Sequence, residues 1–350
     1  MQFSSSVRSA LAAVFVAALS VAASPALTLK VAGPDSVNGV DNLKIVTTLV
    51  NTGDETLKIL NDPRGPLSTL PTDTFAITDT TGARPAFTGV KAKYVPAHAA
   101  ALEDASVFTI LAPGETIDVT HDLSTTYNFT ATGEGAYSFE ARNLFHIVDS
   151  DKTITPLYAD VETHAAKISG KLAVAKPALQ RRATFVGCSA TRQTQLNAAA
   201  TQAQTYAANA LSYLNSHTSS TTRYTTWFGT FVTSRYNTVL SHFSSISSNT
   251  FSSYTFDCTC SDAGTYAFVN PSNFGYVTLC GAFWSAPNAG TDSRGGTLIH
   301  ESSHFTRNGG TDDHVYGQTG AQSLARSNPA QAIDNADSHE YFAENNPALA

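Results

Sequence analysis

The stretch that decides the fold is His300-Glu301-Ser302-Ser303-His304, followed by Phe305-Thr306-Arg307-Asn308-Gly309-Gly310-Thr311-Asp312-Asp313-His314-Val315-Tyr316-Gly317. On a helix, H-E-x-x-H places two imidazoles one turn apart on one face, both able to bind a single zinc ion. Glu301 stands beside the first of them, close enough to take a proton from the attacking water. The preceding residues, Gly296-Thr297-Leu298-Ile299, are apolar and Phe305 continues that character, which suits a helix buried at the floor of a cleft. Two unconnected histidines of a core or a surface would show the same five residues. The chain beyond His304 argues against that reading.

Two histidines leave a catalytic zinc one protein ligand short, with the last position kept for water. A metzincin continuation needs Gly and then His at fixed spacings after the second His. Here the residue six beyond His304 is Gly310, which excludes that class. In thermolysin-like sites a Glu from a later helix completes the set, and Glu340 is a candidate for that role. Asp312, Asp313 and His314 are nearer, reached through an Asn-Gly-Gly turn that can swing the chain back towards the metal. H-E-x-x-H followed by G-T-x-D-x-x-Y-G resembles the deuterolysin or aspzincin family. Position by position, the resemblance implies that Asp313, not Asp312, is the third zinc ligand and that Tyr316 helps to stabilise the transition state. It is closer still to the basidiomycete peptidyl-Lys metalloendopeptidases, through Tyr224-Thr225-Thr226-Trp227-Phe228-Gly229, Phe256-Asp257-Cys258-Thr259-Cys260, Leu279-Cys280-Gly281-Ala282-Phe283-Trp284 and His339-Glu340-Tyr341-Phe342. It runs from about Thr184 to the C-terminus and implies one Zn2+ per mature chain.

The 350 residues divide by composition into two parts. Residues 1–23 carry Arg8, an apolar run from Leu11 to Leu19 and a small-residue end at Val21-Ala22-Ala23, the pattern of a secretory signal peptide. The run is far short of the ~20 residues that span a bilayer, so no membrane anchor is expected. From about Ser24 to Lys176, short alternating runs such as Leu43 to Val50, Thr116 to Thr120 and Ala136 to Glu140 are separated by turn signals, which predicts a β-sandwich-like domain. His98, His121, His146 and His164 have no ligand-like spacing there, and Asn128-Phe129-Thr130 is an optional glycosylation acceptor. The Arg181-Arg182 pair after a Pro-containing linker looks like a kexin-type processing site. We therefore expect a two-domain precursor: signal peptide 1–23, propeptide 24–182, and a mature domain 183–350 beginning at Ala183 or Thr184.

All four cysteines, Cys188, Cys258, Cys260 and Cys280, lie in the second part. An even count in an exported chain points to disulfides, with three possible pairings, and Cys258 and Cys260 are badly placed to pair with each other. The family resemblance implies 188–258 and 260–280. The mature part opens with apolar residues at helical spacing (Leu196, Ala199, Ala203, Tyr206, Ala207, Ala210, Leu211, Leu214), and a second helix is expected around Trp227, Phe231, Val239 and Phe243. Thr255-Phe256-Asp257, Tyr266 to Val269 and Tyr276 to Leu279 predict a small sheet, whose edge is a candidate for binding substrate backbone by strand addition. The mature architecture expected is a mainly α, zincin-type catalytic domain with a small sheet and two disulfides.

Asp337 and Glu340, three apart on a helix, share a face. An acidic pair is ordinarily a solvated surface. The resemblance favours an S1′ pocket in which these two carboxylates hold a lysine ammonium. All nine lysines, Lys30 to Lys176, precede Arg181, and none follows Ala183, where about eight would occur at the same frequency. A protease that cuts before lysine is thereby protected from itself. From Ala183 onward ten acidic residues face six arginines, a formal net charge of −4, and such an acidic chain without a basic patch is a poor nucleic-acid binder.

The expected activity is zinc-assisted hydrolysis of X–Lys bonds in proteins and peptides by a secreted, extracellular enzyme made as a zymogen. His300, His304 and Asp313 hold the metal, Glu301 serves as general base and then acid, and Tyr316 stabilises the oxyanion. Its other expected partners are its own propeptide and a kexin-type protease. The alternatives are a deuterolysin-like endopeptidase of broader specificity, with Asp337 and Glu340 structural, and a non-catalytic zinc-stabilised module. The latter has no need of Glu301 or Tyr316.

Overall fold

The computed structural model describes residues 26–174 and 185–350. The signal-peptide assignment, the Arg181-Arg182 pair and the new N-terminus at Ala183 or Thr184 lie outside the described residues. Among the described residues no helix is long and apolar enough to cross a membrane.

The N-terminal region is β-rich, as its alternation predicts. Strand Lys44–Asn51 turns Ile45, Thr47, Leu49 and Asn51 inward and the residues between them outward, the period-2 signature of a half-buried strand. It lies between Leu27–Ala32 and Thr116–Asp122, and Asp160–Glu162 adds the fourth strand of that sheet. A second sheet runs Ser36–Asn38, His164–Ser169, Gly135–Ala141, Phe75–Asp79, and a third runs Ile154–Tyr158, Leu144–Val148, Leu57–Leu60, Phe108–Leu111. Leu29, Ile45, Ile59, Phe75, Phe139 and Ile168, drawn from all three sheets, meet in one core.

The C-terminal region is mainly helical. Helix Ala190–Ser216 is capped by Ser189, whose hydroxyl accepts from the Arg192 N–H, and buries Leu196, Ala199, Ala203, Tyr206, Ala207, Ala210 and Leu214, while Leu211 is partly buried. The single helix expected around residues 227–243 is instead two, Thr222–Phe228 and Thr233–Ser247. The break is at Gly229, whose φ of 77° and ψ of −165° belong to a region open only to glycine. A side chain there would also meet the Ala325 carbonyl oxygen and the Pro329 ring. Phe231 falls in the link between the two helices.

Disulfides join Cys188 to Cys258 and Cys260 to Cys280, the pairing implied by the family resemblance. Cys258 and Cys280 come directly after strands Thr255–Asp257 and Tyr276–Leu279, so both bridges staple one end of the small sheet. The order of that sheet is Phe185–Val186, Thr255–Asp257, Tyr276–Leu279, Thr265–Val269, Lys91–Tyr94, so its last strand comes from the N-terminal region. The edge expected to accept an extended peptide is already occupied by one belonging to the same chain.

Candidate active site

The helix Arg294–His304 carries the H-E-x-x-H residues and is buried from Gly295 to His304. Ser293 caps it, accepting from the Gly296 N–H at 2.9 Å, and is itself held by Glu344. Beyond His304 the chain doubles back as the glycines require: Gly310 has φ 62°, and Asn308 Nδ2 donates to the Ser302 carbonyl at 2.7 Å. The return places the Thr311 carbonyl 2.8 Å from His304 Nδ1. That contact makes Nδ1 the donor and leaves Nε2 free as a lone pair.

His300 Nδ1 lies 2.8 Å from Asp337 Oδ1, though without a well-aligned hydrogen bond, and its Nε2 faces the same point as that of His304. The two Nε2 atoms are 3.1 Å apart, and Asp313 Oδ1 is 3.2 Å from one and 3.4 Å from the other. Zinc bonds of about 2.0–2.1 Å make a tetrahedral edge of about 3.3–3.4 Å, so these three atoms are spaced as three corners round one ion. Asp313 Oδ1 is buried and has no hydrogen-bond partner among the described residues, which a carboxylate oxygen tolerates when a cation is its partner. The N, N, O donor set fits zinc. Burial alone would raise the Asp313 carboxyl; the imidazoles of His304 and His300 override it and hold it well below the usual carboxylate range.

The other candidates for the third ligand fall elsewhere. Asp312 is 41% exposed and pairs with Lys91. His314 turns to Asp334 at 2.9 Å. Glu340 approaches the Nδ1 side of His300, at 3.4 Å, and not the side where the Nε2 atoms converge.

Glu301 lies in the same buried space. Its Oε1 accepts from the Lys93 N–H at 3.1 Å and its Oε2 has no partner among the described residues. Burial pushes its carboxyl up to about 7, with His300 and His304 pulling part of the way back. A carboxylate near neutrality both takes and returns a proton readily. Tyr316 donates its hydroxyl to the Ala92 carbonyl at 2.7 Å, and burial keeps its phenol protonated, well above its ordinary value. Arg64 stacks on the Tyr316 ring, 3.9 Å from its centroid, and also donates to the Asp313 carbonyl.

Asp337 and Glu340 face inward from helix Ala336–Glu344, both fully buried, with the ammonium of Lys93 between them. Its Nζ is 2.7 Å from Glu340, 3.2 Å from Asp292 and 3.7 Å from Asp337. Tyr266 and Tyr341 present their rings at 5.2 Å and 5.5 Å, and Tyr341 also fixes Asp292 with a 2.7 Å hydrogen bond. Burial would lower the lysine, but Asp337, Glu340 and Asp292 overcome it and hold the ammonium well above its ordinary pKa. His300, Asp337 and Glu340 have the spacing of a second metal site, and the cation in it is this ammonium.

Sequence reading does not find Asp292, Arg64 or Lys93. Asp292 sits just before a helix cap, where an acidic residue is ordinary, and the other two reach the site across 200 or more residues of chain. The one available signal is the confinement of lysine to the N-terminal half.

The family described as lysine-specific metallo-endopeptidase, the aspzincins, matches residues 213–344. A peptidyl-Lys metalloendopeptidase of Grifola frondosa is 58% identical over 335 residues, covering 95% of this chain and 96% of that protein. The chain belongs to the aspzincin family. It is a zinc metalloendopeptidase, and its substrates are proteins or peptides. A second peptidyl-Lys metalloendopeptidase, from Armillaria mellea, is 52% identical to this aspzincin over 349 residues, 99% of each chain. A third, from Pleurotus ostreatus, is 97% identical over 168 residues, which is 48% of this aspzincin and 100% of that protein.

Proposed function

We propose that this aspzincin is a secreted zinc endopeptidase, made as a zymogen, that hydrolyses peptide bonds on the N-terminal side of lysine. The observation that carries the specificity is the buried ammonium of Lys93 held by Glu340, Asp292 and Asp337. Fully desolvated carboxylates are costly without a cation, so a pocket of this composition selects a long side chain ending in positive charge. Three peptidyl-Lys metalloendopeptidases among its relatives support the same reading.

His300, His304 and Asp313 hold the zinc, one per mature chain. When bound there, zinc supplies Lewis acidity, lowering the pKa of a water and polarising the scissile carbonyl. Glu301 takes the proton of the attacking water and passes it to the leaving nitrogen. Tyr316 donates to the carbonyl oxygen as negative charge develops on it. Asp337 and Glu340, with Asp292, bind the lysine ammonium on the leaving-group side and so choose the bond.

Residues 1–23 serve as the secretory signal, 24–182 as the propeptide and 183–350 as the mature enzyme, released by a kexin-type protease after Arg182. The span 183–350 has the same length as the 168-residue match to the Pleurotus protein, which supports that boundary. The test is mass spectrometry of a protein digest made by the purified mature chain, with and without a zinc chelator. New N-termini that are predominantly Lys, and that vanish with chelator, are expected. Chelator-sensitive cleavage without a lysine preference would leave a zinc endopeptidase of broader specificity, with Asp337 and Glu340 in a structural role.

A further inference from the structure

We propose that the precursor carries its own first substrate: residues 91–94 lie in the cleft as a cleavable peptide, and the bond hydrolysed in cis is Ala92–Lys93. This inference rests on the reading of the enzyme as a lysine-directed endopeptidase and adds to it a particular bond.

The register of the strand is continuous from Lys91 to Lys93, with a shift only at Tyr94. Antiparallel pairing sets Val269 opposite Lys91, Phe268 opposite Ala92 and Ala267 opposite Lys93. Strand addition of this kind is how an open sheet edge takes any extended peptide. Two successive peptide units, Lys91–Ala92 and Ala92–Lys93, then meet the candidate catalytic groups. The Ala92 N–H donates to Asp313 Oδ2 at 3.2 Å, the Ala92 carbonyl accepts from the Tyr316 hydroxyl at 2.7 Å, and the Lys93 N–H donates to Glu301 Oε1 at 3.1 Å. The acyl oxygen faces the group that stabilises an oxyanion, and the leaving nitrogen faces the carboxylate that returns the proton. The Lys93 side chain fills the acidic cage on the leaving-group side. Lys91, on the same face of the strand, is the competing lysine. Its ammonium pairs with Asp312, outside the cage, so the Val90–Lys91 bond is out of register.

Hydrolysis adds the oxygen of one water to the Ala92 carbonyl carbon, breaks the bond to the Lys93 nitrogen and moves a water proton through Glu301 to that nitrogen. The second water proton passes from the new carboxyl group to the same nitrogen, so the products are an Ala92 carboxylate and a Lys93 α-ammonium, with no other reactant. Both flanks are anchored in the N-terminal region. Val90 N–H donates to the Pro71 carbonyl at 2.9 Å, and Tyr94 is buried with Leu60, Ala99, Ala100 and Val148. The bound peptide is therefore held at both ends, as an intramolecular substrate.

The test uses the whole precursor, purified free of metal, with Arg181→Ser and Arg182→Ser to prevent processing there. Amine labelling of this metal-free protein is expected to modify exposed Lys30 and Lys171 and to leave Lys93 unmodified. Labelling of Lys93 at the rate of Lys30 overturns the proposal. On adding zinc, fragments ending at Ala92 and beginning at Lys93 are expected before any other cut, with a first-order rate unchanged over roughly a hundredfold dilution, as for an intramolecular reaction. Glu301→Gln should keep the labelling protection and lose the cut, and Lys93→Gln should lose that fragment pair. A rate that rises with protein concentration contradicts cleavage in cis. If the mature enzyme shows no lysine preference in the digest, the functional reading fails. If it does, and the zinc-loaded precursor cleaves an added lysyl peptide while Ala92–Lys93 stays intact, this inference alone fails.

Discussion

At the scale of single residues, Glu301 is set apart by how little solvates it. In the metal-free precursor it is fully buried, its Oε2 has no partner among the described residues, and burial pushes its carboxyl up to about 7. Glu301→Gln keeps the volume and a hydrogen-bond acceptor but removes the base. We expect kcat of the mature enzyme to fall by about 10²–10⁴, with zinc content, measured by atomic absorption, equal to that of the wild type. Loss of less than tenfold would show that another group takes the proton. Loss of the metal would mean that Glu301 supports the ligands instead. Glu301 and the two histidines were legible because their relation is local: a helix alone places His300 and His304 on one face. Asp313 was not separable from Asp312 by spacing. What distinguishes them is that Asp312 Oδ1 accepts from the Asp313 N–H at 2.8 Å and faces Lys91, which turns the Asp313 carboxylate inward. Asp292 was not legible at all, since its role depends on Tyr341, 49 residues away in the chain.

At the scale of elements, the local patterns carried most of the fold. The alternating runs are strands at Lys44–Asn51, Thr116–Asp122 and Gly135–Ala141, and the long alanine-rich helix is Ala190–Ser216. The expectation that failed, one helix through Trp227 and Val239, did so at Gly229. A glycine inside a helical pattern is tolerable by propensity alone, so the break was not legible there; in the structure Ala325 and Pro329 pack against Gly229 so closely that no side chain fits. Gly229→Ala is therefore a sharp probe. The backbone conformation costs about 1–3 kcal/mol for any residue with a Cβ, and the overlap with the Ala325 carbonyl oxygen, 2.2 Å from that Cβ, adds to it. We expect urea denaturation of the mature enzyme to show a loss of about 3 kcal/mol, with kcat/KM little changed below the transition. A change within about 0.5 kcal/mol would show that the link at Phe231 yields freely.

At the scale of the whole molecule, what matters is how firmly the N-terminal region holds strand Lys91–Tyr94 in the cleft, and we expect that hold to weaken in acid through His121. Its imidazole is buried within the sheet, 2.9 Å from the Thr47 hydroxyl and edge-on to Phe75 at 5.1 Å. Burial pushes it down to about 4, from an ordinary value of 6.5. The unfolded chain thus binds this proton before the folded one does. The stability associated with a neutral His121 is fully present above about 6.5 and is lost as the pH falls towards about 4, by at most roughly 3 kcal/mol. Below that range it contributes no further change. Hydrogen exchange of the intact precursor, corrected for intrinsic rates, should show protection of strands Lys44–Asn51 and Thr116–Asp122 falling across this window. His121→Gln retains a partner for Thr47 but cannot titrate, so its loss of protection over the same interval should be smaller by up to about a hundredfold. The helix Ala190–Ser216, in a different core, should show no such difference between the two proteins. Equal acid sensitivity in the two proteins would assign the effect to the carboxylates of the region. A difference confined to these strands would make His121 the group through which acid loosens the region that seats Lys93 in its cage.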